Sequence, residues 1–272
     1  VIASVEDRSD AAGGLRPAFA AVRVRIGLVA VLLTLAVVAW WFSVVRMRGM
    51  DDGFGTQLGT LGWFLGVWVV MMAAMMLPSV APMVALYSKM TRTKTPLAPL
   101  VFTSGYLITW AAAGLLAFGI SGLAGTLFGK QLAWTSGGRW VAGGIICVAA
   151  IYELTPLKEV CLRKCRSPLG FLLGSWRGGL WGSLRMGAKH GAWCVGCCWA
   201  LMAALFALGV MNIAWMAFIA ALIAAERMLP WRRAVTYGVA TVLLVLGVTL
   251  LAAPHAIPGL TIPGPAPMAP MS

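Results

Sequence analysis

Six cysteines carry most of the chemistry this sequence offers: Cys147, Cys161, Cys165, Cys194, Cys197 and Cys198. Five of them fall in two clusters, CLRKC at 161–165 and HGAWCVGCC at 190–198. On a helix, His190, Cys194, Cys197 and Cys198 fall within a stripe about 100° wide, because each residue turns the helix by about 100°. One imidazole and three thiols on one stripe, with two more thiols nearby in sequence, supply a soft-ligand site. Thiolates suit Cu(I) and zinc. A closed Cys/His tetrahedron is the usual structural zinc site. Sites of two or three thiolates suit Cu(I) better, and further thiols allow exchange from ligand to ligand. Cys147 stands alone in an apolar stretch and reads as a packing residue.

A second soft constellation is MMAAMMLPSVAPM at 71–83, which holds Met71, Met72, Met75, Met76 and Met83. Thioether favours Cu(I) and rejects hard cations, but methionine is also an ordinary filler of apolar cores. The pair Cys194 and Cys197 forms a CxxC, so a thiol–disulfide oxidoreductase is an alternative. Against it, no cysteine lies at the far side of the chain's apolar segments to pass electrons onward. Glu153 and Glu226 stand at the ends of apolar segments beside Lys158 and Arg227, and pairing with those cations is the simplest reading. Intramembrane carboxylates are otherwise candidates for function. Paired catalytic carboxylates, a nucleophilic triad, a phosphate loop and a dinucleotide fingerprint are all absent from the sequence, so no enzyme is expected.

The elements that must position these side chains are membrane spans. The chain has 272 residues, 61% hydrophobic and 11% charged, with mean hydropathy +0.89. A soluble domain carries about 25% charged residues, and a spanning helix needs about 20 apolar ones in a row. Seven such segments are expected, at 26–46, 63–88, 98–120, 139–156, 191–209, 212–229 and 234–252, forming an all-α polytopic transmembrane helix bundle. Pro78 and Pro82 should interrupt and kink the second. The first segment is too long for a cleaved leader and ends in Trp40, Trp41 and Arg46, so it reads as a retained span. Asn212 belongs to a turn between the fifth and sixth.

Orientation follows from charge. Of the 21 Lys and Arg, only Arg46, Arg48, Lys130 and Arg139 fall on one set of alternate segments. The others fall on the opposite set, which places the N-terminus in the cytoplasm. The +13 net charge therefore reads as a topology signal, and nucleic acid is not an expected partner; the lipid bilayer is. The organisation is a cytoplasmic tail at 1–25, a helical domain at 26–253 with a long cytoplasmic loop at 157–190, and a proline-rich, disordered tail at 254–272. Within the loop, FLLGSWRGGLWGSLRMG mixes Trp176, Trp181 and Phe171 with Arg177 and Arg185, a composition suited to the membrane interface. Both cysteine clusters then lie at the cytoplasmic end, where thiols stay reduced, which argues against a disulfide framework. Packing of the second span on the fifth would continue the cysteine site into a methionine track.

Four strings together resemble a known bacterial family, the predicted metal-binding integral membrane proteins. They are AMMLPSVAPM (74–83), YELTPLKEVCLRKCRSP (152–168), MGAKHGAWCVGCCWALM (186–202) and GVMNIAWMA (209–217), and the likeness runs over about 60–230. Some members of that family are linked to copper delivery to a tyrosinase-type polyphenol oxidase. The resemblance implies a bacterial inner-membrane protein that acts as a copper chaperone or handles copper for a cuproenzyme. Its implied ligands are Cys161, Cys165, His190, Cys194, Cys197 and Cys198, to which the residue reading adds Met72, Met75, Met76 and Met83. Zinc in place of Cu(I), and a metal transporter in place of a chaperone, are the alternatives.

Overall fold

The computed structural model describes residues 27, 29–45, 60–91, 97–128, 138–208, 212–229 and 231–253. The expectations for the tails at 1–25 and 254–272 lie outside these residues. Every regular element among the described residues is helical: α1 (Val29–Val45), α2 (Leu61–Thr91), α3 (Ala98–Phe128), α4 (Arg139–Glu153), α5 (Pro156–Arg166), α6 (Pro168–Ser175), α7 (Gly179–Leu208), α8 (Ile213–Met228) and α9 (Arg232–Ala252).

The number of spans differs from the seven expected. Among the described residues, four helices (α2, α3, α7 and α9) are long and apolar enough to cross a membrane, or five if α4 and α5 count as one bent span. The reason is length. The 16 residues of α8 reach about 24 Å at 1.5 Å per residue, short of a hydrocarbon layer about 30 Å thick. The described part of α1, Val29–Val45, is also below that length.

The long loop expected at 157–190 is a second correction. It is mostly helical, comprising α5, α6 and the first turns of α7. Its basic residues lower the local hydropathy, so the uninterrupted apolar run begins only at Gly191. The helix in fact starts at Gly179, and Cys194 therefore lies near the middle of α7, not at its end. A third correction concerns α2, which runs unbroken through Pro78 and Pro82. Buried neighbours on the same turns, Leu77, Val80 and Ala81, hold it in the bundle, and the Ser79 hydroxyl donates to the Met76 carbonyl at 2.8 Å.

α2 and α7 form the interior, while α3 packs along α7 and also on α2. The α3–α7 contact is close because glycines line it. A Cβ added at Gly105 would lie 2.2 Å from the Leu184 carbonyl oxygen, and one at Gly187 would lie 1.9 Å from that of Phe102. Small residues are the usual way for apolar helices to bring their backbones together. On the other flank α4 packs on α9, where Gly247 accommodates Cys147.

α4 ends at Glu153, and the chain bends by 68° into α5. Thr155 caps α5, its hydroxyl accepting from the Lys158 amide at 3.3 Å, and Pro156 starts the helix. Both are favoured helix-start residues. Asn212 similarly caps α8, accepting from the Ala214 and Trp215 amides. The outer face is apolar: Leu116, Ile120, Leu123 and Leu127 on α3 and Val148 and Ile151 on α4 are all exposed.

Candidate metal centre

The bend at Leu154–Thr155 turns α5 back beneath α7, so that the two cysteine clusters meet. The Cys165 and Cys197 sulfurs lie 3.7 Å apart, and those of Cys197 and Cys198 lie 3.4 Å apart. Cys161, one helical turn before Cys165, sets its sulfur 3.0 Å from where a Cβ on Gly196 would stand. The glycine inside CVGC thus leaves room for the close approach of α5. The Tyr152 hydroxyl donates to the Gly196 carbonyl at 2.6 Å and ties α4 to the same turn. Cys194, Cys197 and Cys198 are fully buried, and every described cysteine is a free thiol.

The centre of the cluster holds an arginine. Arg227 reaches in from α8, and its Nη2 donates to Cys194 Sγ at 2.8 Å, with Cys198 Sγ at 3.3 Å and Cys197 Sγ at 3.4 Å. Its Nη1 donates to Ser79 Oγ on α2 at 2.9 Å. One nitrogen is thereby surrounded by three sulfurs. Two unsatisfied polar atoms border the centre: Arg227 Nε and His190 Nδ1 are buried without a hydrogen-bond partner. Each retains an unused hydrogen-bonding position facing the interior.

Other side chains complete the surroundings. The Tyr106 hydroxyl and Cys194 Sγ share a hydrogen bond of 3.0 Å. His190 lies one turn from Cys194, in a ring of Phe102, Tyr106 and Phe171 at 6.1, 6.0 and 5.0 Å between centroids. It is close to the thiols in sequence but enclosed by aromatics. As they stand, no three Cys, His, Asp or Glu side chains among the described residues converge as a ready metal cage. The physical reason is Arg227, whose guanidinium stands where a cation bound to all three thiols would sit.

The methionines are buried, not turned outward: Met72 and Met76 are 0% exposed, Met83 3% and Met75 6%. All four lie at helical-face spacing from Ser79 (seven, four and three residues before it and four after), so they share the face that meets Arg227. α2 reaches α7 through side chains, with a 2.7 Å bond between Tyr87 Oη and Ser183 Oγ and a Trp68–Phe206 ring contact at 5.6 Å. The direct packing of the second span on the fifth that the sequence suggested is not there: α2 packs on α3, and α3 on α7.

Residue reasoning assigned the nearby charges in part. Glu153 pairs with Lys158 as expected, at 2.5 Å. Glu226 turns to Lys158 as well, at 2.8 Å, and not to its neighbour Arg227. All three side chains of this triad are buried. Arg166, at the end of α5, donates to the Glu226 carbonyl at 2.8 Å and to the Leu229 carbonyl. It grips the last turn of α8, where a cation satisfies otherwise free carbonyls, and so fixes the turn that carries Arg227. The roles of Arg227, Tyr106 and Ser79 were not foreseen. Arg227 carried no distinguishing signal, because a cation at the end of an apolar helix is the ordinary topology pattern.

A copper chaperone family, PpoB2, matches residues 65–250. The chain belongs to this family. The match takes in every helix from most of α2 to nearly the end of α9, and with them all six cysteines, His190, the methionine face and Arg227. It extends beyond 230, the end of the stretch over which the sequence resembled metal-binding membrane proteins. Family membership supports a role in copper handling, as that resemblance implied. No curated protein and no solved structure matches the chain.

Proposed function

We propose that this protein is a membrane-embedded Cu(I) chaperone that holds copper on the Cys194, Cys197 and Cys198 thiols and passes it to a copper-dependent enzyme. The supporting observation is the convergence of three buried sulfurs on one cationic nitrogen, in a chain of the copper chaperone family. The arrangement already accommodates a unit positive charge among soft donors. Arginine has no lone pair to coordinate and stays charged, so loading moves the guanidinium aside toward Ser79. There it remains as the counter-cation of an anionic copper–thiolate centre.

Cys165 and Cys161 extend the cluster on α5 and supply the next thiols for exchange. The buried methionine face beside Ser79 continues the soft path, and His190, with its unsatisfied Nδ1, is a further ligand within reach of a rearranged centre. Copper is cargo in this scheme, and the protein does no bond chemistry. Embedding in a bacterial cell membrane is supported by the four to five long apolar helices and by the exposed leucines, isoleucines and valines on α3 and α4. In water such a face would aggregate. The cytoplasmic placement of the N-terminus rests on the Lys and Arg distribution.

The test is Cu(I) competition against a chromophoric chelator with the purified full-length protein in detergent, with zinc titrated in parallel. Wild type is expected to retain copper, and Cys194→Ser with Cys197→Ser to lose at least tenfold in affinity. Copper binding indifferent to both substitutions overturns the proposal, and zinc retained in preference to Cu(I) reassigns the metal.

A further inference from the structure

The turn from α6 to α7 forms an open cavity of about 290 Å³ that the copper site does not use. Arg177, Arg185 and Lys189 line it, together with Ser175, Trp176 and Met186, and among the described residues no carboxylate does. The walls are fixed. The Arg177 amide donates to Met186 Sδ at 3.3 Å, fastening the turn onto α7. Lys189 Nζ donates to Ser175 Oγ at 3.0 Å, and the Arg185 guanidinium stacks on Trp181 at 5.3 Å.

Arg185 and Lys189 are one helical turn apart, a spacing at which like charges repel. Arg177 adds a third positive charge to the same small volume. An anion with several acceptor oxygens would relieve that repulsion and engage all three cations, and phosphate has the right number and geometry of oxygens. The rim narrows the choice of phosphate. Leu173 and Trp176, which line the cavity, and Trp181, stacked on Arg185, are 72%, 43% and 64% exposed. A site for a free aqueous ion has no use for such a rim. A phospholipid does: its headgroup enters the basic cavity while its chains run over leucine and tryptophan, residues suited to the membrane interface.

We propose that this cavity binds the phosphate headgroup of an anionic phospholipid and thereby anchors the α6–α7 turn at the membrane surface. The proposal rests on the bundle lying in a membrane and is independent of copper.

The experiment measures the thermal shift of the full-length protein in detergent on titration with phosphatidylglycerol, cardiolipin, phosphatidylcholine or inorganic phosphate. Wild type is expected to be stabilised by the two anionic lipids. The variant Arg177→Gln with Arg185→Gln and Lys189→Gln is expected to need at least tenfold more lipid for the same shift, while Arg163→Gln with Lys164→Gln behaves as wild type. An equal response of the cavity variant overturns the proposal, as does an equal response to phosphatidylcholine. Stabilisation by inorganic phosphate as strong as by lipid replaces the lipid with a free anion. Cu(I) affinity of the cavity variant, expected to be unchanged, separates failure of this site from failure of the copper reading.

Discussion

At the scale of the residue, the centre is governed by one arginine and one buried charge triad. Arg227→Gln removes the cation around which Cys194, Cys197 and Cys198 are arranged. It is expected to lower Cu(I) affinity at least tenfold, about 1.4 kcal/mol, in the same chelator competition, with Arg227→Lys retaining part of the affinity. The triad is a matter of stability. Lys158→Met leaves the Glu153 and Glu226 carboxylates buried and facing each other without their shared cation. Breaking a buried pair in this way costs about 3–5 kcal/mol, to be read as a fall in the thermal midpoint. Glu226→Gln should cost less, because Lys158 keeps Glu153. The residue types of the site were legible in the sequence, since thiols and thioethers advertise soft-metal chemistry wherever they cluster. The arginine at their centre was not, because Arg227 follows Glu226 in the chain and adjacency suggested a pair that the helix does not make.

At the scale of the element, glycines decide how the helices meet. Gly187→Ala would bring a methyl group within 1.9 Å of the Phe102 carbonyl oxygen and force α3 from α7. Overpacking of this kind costs about 1–3 kcal/mol. Because Tyr106 on α3 reaches Cys194 on α7, separation should weaken Cu(I) binding together with stability. Gly119→Ala, on a part of α3 where nothing lies within 4 Å, should leave both intact. Thermal unfolding and the chelator competition on the same samples check the pair. Hydropathy found the apolar helices but misjudged where α7 begins, because Arg185 and Lys189 interrupt the apolar count without interrupting the helix. It also could not show the bend at Leu154–Thr155. The Thr155-Pro156 start signal of α5 was present in the sequence, hidden at the edge of a segment read as loop.

At the scale of the whole molecule, topology is the open expectation to measure. The Lys and Arg distribution predicts that a periplasmic-active phosphatase fused after Lys130 is active and one fused after Lys94 is inactive. Equal activity at both positions would remove the basis for the orientation. Among the described residues four to five helices, not clearly seven, are long and apolar enough to cross, since apolar composition marks a short helix such as α8 as readily as a long one.

The arginine at the centre has a further consequence for the unloaded protein. Without its guanidinium, three inward-facing thiols would border a void, and interiors packed to native density collapse around voids or admit water. Arg227 fills that space, so on the proposed copper reading the bundle has little reason to close up when the thiols carry no metal. The thiols are then buried in the copper-free protein, and the guanidinium bonded to Ser79 is the group that has to move when copper enters.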